Sequence, residues 1–234
     1  QIFTKRAKPG ERLTPSFAIG GGSMGSARQE LGLRGSLGSA WYSAGINAQT
    51  TEGFNARPSV NEGDDDGYWN LAGSLATGWR FANGAEISAN WLRAKSRNEY
   101  DGGFTNESDN TQEVFGGSAR FKPLSFWNVV LAAGQSRDLS VNFHRSFNDA
   151  ARGEINTARD SYSWQNDLAF SELLNFSVGV DQQHDHVSGS TDYEVRSRDN
   201  TGLFVQYQGG WLGHELQLSL RRDDNQQFGT YETG

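Results

Sequence analysis

Apolar side chains recur at every second position over long stretches of this chain. Leu71, Leu75, Trp79 and Phe81 share one phase, with Ala72, Ser74, Ala76, Gly78 and Arg80 between them. Leu31, Leu33 and Leu37 alternate with Glu30, Arg34 and Ser36; Phe176, Val178 and Val180 alternate with Asn175, Ser177 and Asp181. Leu203, Val205 and Tyr207, and then Leu216, Leu218 and Leu220, repeat the pattern. A period of two marks β-strands, whereas a helix repeats its apolar positions every three or four residues. The alternation predicts eleven strands, near 14–22, 28–38, 40–50, 67–82, 84–98, 111–122, 126–141, 159–171, 174–187, 198–210 and 214–227. Several exceed the roughly 5–6 residues usual in soluble sheets and match the roughly 9–11 that a tilted strand needs to cross a bilayer. The longest aliphatic run, Val129 to Ala133, is far short of the roughly 18–20 residues of a membrane-spanning helix.

The second phase decides between a soluble sandwich and a membrane barrel. A sandwich turns its large residues inward and its polar ones to water. Here the phase opposite the large residues is Gly, Ala, Ser, Gln and charge in strand after strand, which would line water and not pack a dry core. The connections agree. Short ones near Gly38-Ser39, Ala82-Asn83-Gly84, Lys122-Pro123-Leu124-Ser125, Glu172-Leu173-Leu174 and Leu212-Gly213 alternate with long polar ones near 49–67, 97–111, 140–160 and 186–200. Barrels of the bacterial outer membrane alternate short periplasmic turns with long extracellular loops in this way. Trp41, Tyr42, Trp79, Phe81, Phe121, Phe126, Trp127, Phe170, Phe176 and Trp211 flank the short turns as a periplasmic girdle. Trp69, Trp91, Phe115, Trp164 and Phe204 would form an outer one. The expected fold is an all-β antiparallel transmembrane β-barrel. Eleven strands is an odd number where single-chain bacterial barrels have even ones, and lipid does not tolerate unpaired sheet edges. The chain is therefore expected to be part of a larger barrel, and its ends read as cut.

Composition narrows the chemistry. The 234 residues contain no Cys, which removes disulfides and cysteine-based metal or redox sites. A net charge of −7 disfavours a nucleic-acid partner. The most pointed polar cluster is Gly63-Asp64-Asp65-Asp66-Gly67, followed by Tyr100-Asp101-Gly102-Gly103 and Asp109 in the next long loop. Calcium takes about 6–8 oxygen ligands, and carboxylates converging from adjacent loops suit it, although an Asp triplet in a polar loop is more often solvated charge. The run lacks the spacing of an EF-hand. His184 and His186 lie two apart with no evident third ligand; His144 and His214 are isolated, and no Ser/His pair stands out as a hydrolase. Arg34, Arg80, Arg120, Arg137 and Arg221 fall in lumen or rim phases, where channel water solvates them by default.

Three segments carry a family likeness. Gln1-Ile2-Phe3-Thr4-Lys5-Arg6 resembles the last strand of the N-terminal plug of TonB-dependent outer-membrane transporters. Arg221-Arg222-Asp223-Asp224-Asn225-Gln226-Gln227-Phe228-Gly229 and Asn200-Thr201-Gly202-Leu203-Phe204 are similar to strands near the middle of that family's barrel. The likeness is strongest to the cobalamin transporters. It implies that residues 1–8 end a plug domain and that 9–234 form the N-terminal half of a 22-stranded barrel. The implied function is energy-coupled import of cobalamin or a related corrinoid by a non-enzymatic monomer in the bacterial cell outer membrane, among lipid and lipopolysaccharide, with TonB acting through the plug. The alternatives are a receptor for a ferric siderophore or another scarce ligand, or else a barrel enzyme or open porin. The resemblance also implies calcium in the extracellular loops, at Asp64, Asp66, Tyr100, Asp101 and Asp109. Asn55 stands where the family has a carboxylate; its carbonyl oxygen carries no charge, which implies a weaker site.

Overall fold

The computed structural model describes residues 7–58, 64–145, 151–171, 173–211 and 214–234, with side chains at 151, 152 and 211 left aside. The proposed plug strand at 1–6 lies outside the described residues. The strands are β1 (Thr14–Gly21), β2 (Ala27–Leu37), β3 (Ala40–Thr51), β4 (Tyr68–Arg80), β5 (Glu86–Glu99), β6 (Glu107–Leu124), β7 (Trp127–Phe143), β8 (Ala151–Ser171), β9 (Leu174–Gly189), β10 (Ser197–Trp211), β11 (His214–Asn225) and β12 (Gly229–Thr233). They form one 12-stranded sheet in sequence order, each strand antiparallel to the next. No helix long and apolar enough to cross a membrane occurs among the described residues.

The register sorts side chains by face. One row runs across Trp79, Ile87, Ala119, Leu131, Trp164, Val180 and Leu203. The adjacent row on the other face runs across Gly78, Ser88, Ser118, Ala132, Ser163, Asp181 and Gly202. The sheet curls around this second face, where clefts of about 510 and 500 Å³ are lined by residues such as Ser88, Asn90, Gly116, Ser163, Ser16 and Asn47. Most large apolar side chains are on the convex side and uncovered: Leu75 is 49%, Trp164 51% and Leu203 55% exposed. Among the described residues, the buried apolar side chains are Ala7, Trp41, Val129 and Phe143 alone. That is too few for a sandwich core, so water cannot be the solvent of the convex face; hydrocarbon is.

The sequence expectation needs three adjustments. Among the described residues there are twelve strands, because Gln226, Gln227 and Phe228 turn the chain at Gly229 (φ 78°) and β12 pairs back on β11; that polar segment carries no alternation to announce it. The connections expected at 97–111, 140–160 and 186–200 are shorter. β5 runs to Glu99 and β6 starts at Glu107; β7 runs to Phe143, β8 starts at Ala151, β9 runs to Gly189 and β10 starts at Ser197. The backbone ladder continues where both faces meet water, and there the period-two signal fades. Finally, Trp41 and Phe204 belong to neither girdle. Trp41 pairs with Gly78 and Phe204 with Gly179, on the concave side.

Charge on the two faces should cost unequally. In the whole barrel refolded into vesicles, Leu203→Arg should lower the urea-unfolding free energy by about 2–4 kcal/mol. Ser136→Arg, facing the lumen, should change it by less than about 1 kcal/mol.

Candidate functional site

At the short-turn end, the segment before β1 is fastened to the concave face. The carbonyl of Ala7 accepts from Arg80 Nη2 at 2.8 Å, while Arg80 Nε donates to Glu86 at 3.0 Å. Glu11 accepts from Arg34 Nε at 2.7 Å, and its backbone carbonyl accepts from the Ser36 amide at 2.9 Å. Trp41 lies beneath, 1% exposed, with the Arg80 guanidinium 5.9 Å from its ring. Gly78 makes room for it, since a Cβ there would sit 2.5 Å from the indole. Two of the lumen-phase arginines, Arg34 and Arg80, therefore hold a strap.

At the opposite end, two guanidiniums gather the acids. Arg97 grips Asp109 through Nε at 2.6 Å and Nη2 at 2.8 Å and reaches Glu107 at 3.4 Å. Arg145 bonds Glu99 and Glu107 and lies 3.9 Å from Asp64. Burial works against the charge on Arg145, but Glu107 and then Glu99 outweigh it and raise its pKa. Four carboxylates on two guanidiniums leave the network net negative. Glu107 is only 2% exposed. It and Glu99 stand directly opposite each other in β5 and β6, a like-charge pairing that only the bridging cations make tolerable.

The six candidate calcium ligands divide into groups. Asp64 and Asp109 join this network, Asp109 from within β6 and not from a loop. Asp66 and Asn55 face one another across their own loop: Asp66 Oδ2 accepts from the Ala56 amide at 2.8 Å, and Asn55 Oδ1 from the Arg57 amide at 2.9 Å. Gly53 (φ 78°) permits that closure, because a Cβ would meet the Asp66 carbonyl oxygen at 1.8 Å. The Tyr100 hydroxyl donates to Thr105 Oγ1 at 2.9 Å. Asp101 Oδ2 is buried and has no hydrogen-bond partner among the described residues. A buried carboxylate oxygen without a partner is where a hard cation fits. Among the described residues no three acidic or histidine side chains are already grouped to hold a metal. Arg97, Glu99, Glu107 and Arg145 were not evident from the sequence; their partnership appears only once the register aligns them.

Toward the same loop end, the concave wall carries paired charges. Arg159 and Arg198 share Asp185, in β8, β10 and β9. Arg221 bridges Asp181 at 2.9 Å and Asp223 at 2.7 Å. Arg137 is exposed on the convex face, in register with Glu113. His184 Nδ1 is 2.8 Å from Asp199, an exposed pair on the convex face.

An apolar convex face and a wet concave face on one antiparallel meander together define the wall of an outer-membrane β-barrel. The chain is 28% identical over 97% of its length to the vitamin B12 transporter BtuB of Photobacterium profundum, and 23% identical over 80% to the same transporter of Vibrio cholerae. It spans 37% and 32% of those relatives. No protein-family model matches. In fold it is similar to the siderophore receptors PirA and PiuA of Acinetobacter baumannii, with TM-scores of 0.75 and 0.72 at 13% and 9% identity; 98% of this chain aligns with 41% and 46% of theirs. All four are named transporters or receptors.

Glu11 gives the strap a pH dependence. The Lys8 amide, and then the Arg34 guanidinium, hold its carboxyl below the usual 4.5. Its contribution is therefore complete above that value and is lost as pH falls through the lowered folded-state value. Exchange of the Ser36 amide, corrected for intrinsic rates, should accelerate on acidification. In Glu11→Gln it should already be fast at neutral pH and show no such acid step.

Proposed function

We propose that this chain forms part of the barrel wall of a TonB-dependent transporter importing cobalamin or a related corrinoid across the outer membrane. The match to a named vitamin B12 transporter over 97% of the chain carries this reading. The physics supports a larger assembly, because β1 and β12 each have an edge without a strand partner among the described residues. In lipid each unpaired backbone group costs several kcal/mol, so further strands close the wall. The strap anchored at Arg34 and Arg80 leads from a plug that rests on the polar concave face, and TonB displaces that plug. Long loops capture the cargo. Calcium, held by Asp64, Asp66, Tyr100, Asp101, Asp109 and Asn55, neutralises the surplus acid there and fixes those loops. The unpartnered Asp101 oxygen supports this assignment.

A second reading, a ferric-siderophore receptor, is favoured by the fold likeness to PirA and PiuA. Equilibrium binding to outer membranes containing the whole protein separates the two. Cobalamin should bind saturably and resist competition by ferric chelates, and calcium at about millimolar concentration should tighten binding. Asp101→Asn should weaken the calcium effect on the order of tenfold. Binding of a ferric chelate without cobalamin would establish the second reading; cobalamin binding indifferent to calcium would remove the metal.

A further inference from the structure

The convex face is not uniformly apolar. Beyond Trp91 and Phe115, which pair across β5 and β6, three basic residues stand outward on neighbouring strands: Arg93, Lys95 and Arg137. All three are exposed, and none has an ion pair or hydrogen bond among the described residues. Glu113 is opposite both Arg93 and Arg137 in register, but it accepts from Trp91 Nε1 at 3.1 Å. The same row continues through Ala158, His186 and Ser197, so the unpaired cations are confined to β5–β7. Two residues beyond Lys95 the same face passes to the acid-rich network of Arg97, Asp109, Glu99 and Glu107, which bounds the patch on the loop side.

Depth identifies what these cations meet. Aromatic rings on the outer face settle at the hydrocarbon–headgroup boundary. Arg93 and Lys95 follow Trp91 by two and four residues toward the long loops, about 7 and 13 Å along the strand. Arg97, opposite Trp69 of the outer girdle, marks the boundary on β5, so the long side chains of Arg93 and Lys95 extend up to the headgroups from just beneath it. There unpaired guanidinium and ammonium groups attract anionic phosphate, Arg with two parallel hydrogen bonds. We propose that Arg93, Lys95 and Arg137 form a binding site for the phosphates of an anionic glycolipid in the outer leaflet. Trp91 and Phe115 lie against its acyl chains.

This rests on the outer-membrane placement but not on the cargo. The test uses the whole protein, extracted from outer membranes, stripped of lipid and titrated with bisphosphorylated lipid A or its dephosphorylated form, with bound lipid counted by native mass spectrometry. Each of Arg93→Gln, Lys95→Gln and Arg137→Gln should weaken binding of the phosphorylated lipid about fivefold, and the triple variant roughly 100-fold. The dephosphorylated lipid should bind all of them alike, and Lys122→Gln, near a short turn, should bind like the parent protein. Heat-modifiable gel mobility confirms that each variant is a closed barrel. Undiminished binding to the triple variant, or an equal loss for both lipids, overturns the site while leaving the transporter reading intact. Recovery of the protein outside the outer membrane overturns both.

Discussion

Inside a bilayer there is no water to satisfy a backbone amide, and this single constraint organises the molecule. It requires every strand to pair with its neighbours, and the simplest pairing for successive strands is the antiparallel meander from β1 to β12. Once the ladder is set, the pleat distributes side chains without further choice. Leu75, Trp91 and Phe115 fall on one side, and Ser74, Asn90 and Gly116 on the other. Solvent then assigns the sides: hydrocarbon takes the large residues and water takes the small and polar ones.

The polar features are consequences of where this wall ends. At the short turns, Arg34 and Arg80 clamp a strap over Trp41 on the concave face. At the other end the strands rise out of lipid, and charged residues appear on both faces. In the Arg97–Arg145 network the acids exceed the guanidiniums, which places negative charge at that end. On the outside, unpaired cations stand next to Trp91. The same strands thus present different chemistry at three depths.

Much of this was legible in the sequence, and the reasons it was differ by region. Within the membrane, two unlike solvents impose the alternation, so Leu203, Val205 and Leu220 announce both the strand and its face. Above the membrane both faces are wet and the contrast vanishes; hence the extensions through Glu99, Glu107 and Ser197, and all of β12, were hidden. Trp41 and Phe204 misled for a related reason. A ring near a turn signals an interface only if it faces outward, and theirs are accommodated inside by Gly78 and Gly179. The acidic loops were visible as composition, but the Arg97–Glu107–Arg145 network depends on β5–β6 register and on a residue beyond β7.

The central claim, that odd and even positions along a strand meet different solvents, can be measured directly because this chain has no native cysteine. In the whole protein reconstituted into vesicles, Leu75→Cys and Leu203→Cys would carry a fluorophore, as would Ser118→Cys and Ser163→Cys. The first pair should be quenched by brominated lipid and shielded from iodide, and the second pair should show the reverse. Equal quenching of both pairs by iodide, with none by brominated lipid, would contradict the assignment of the convex face to the membrane.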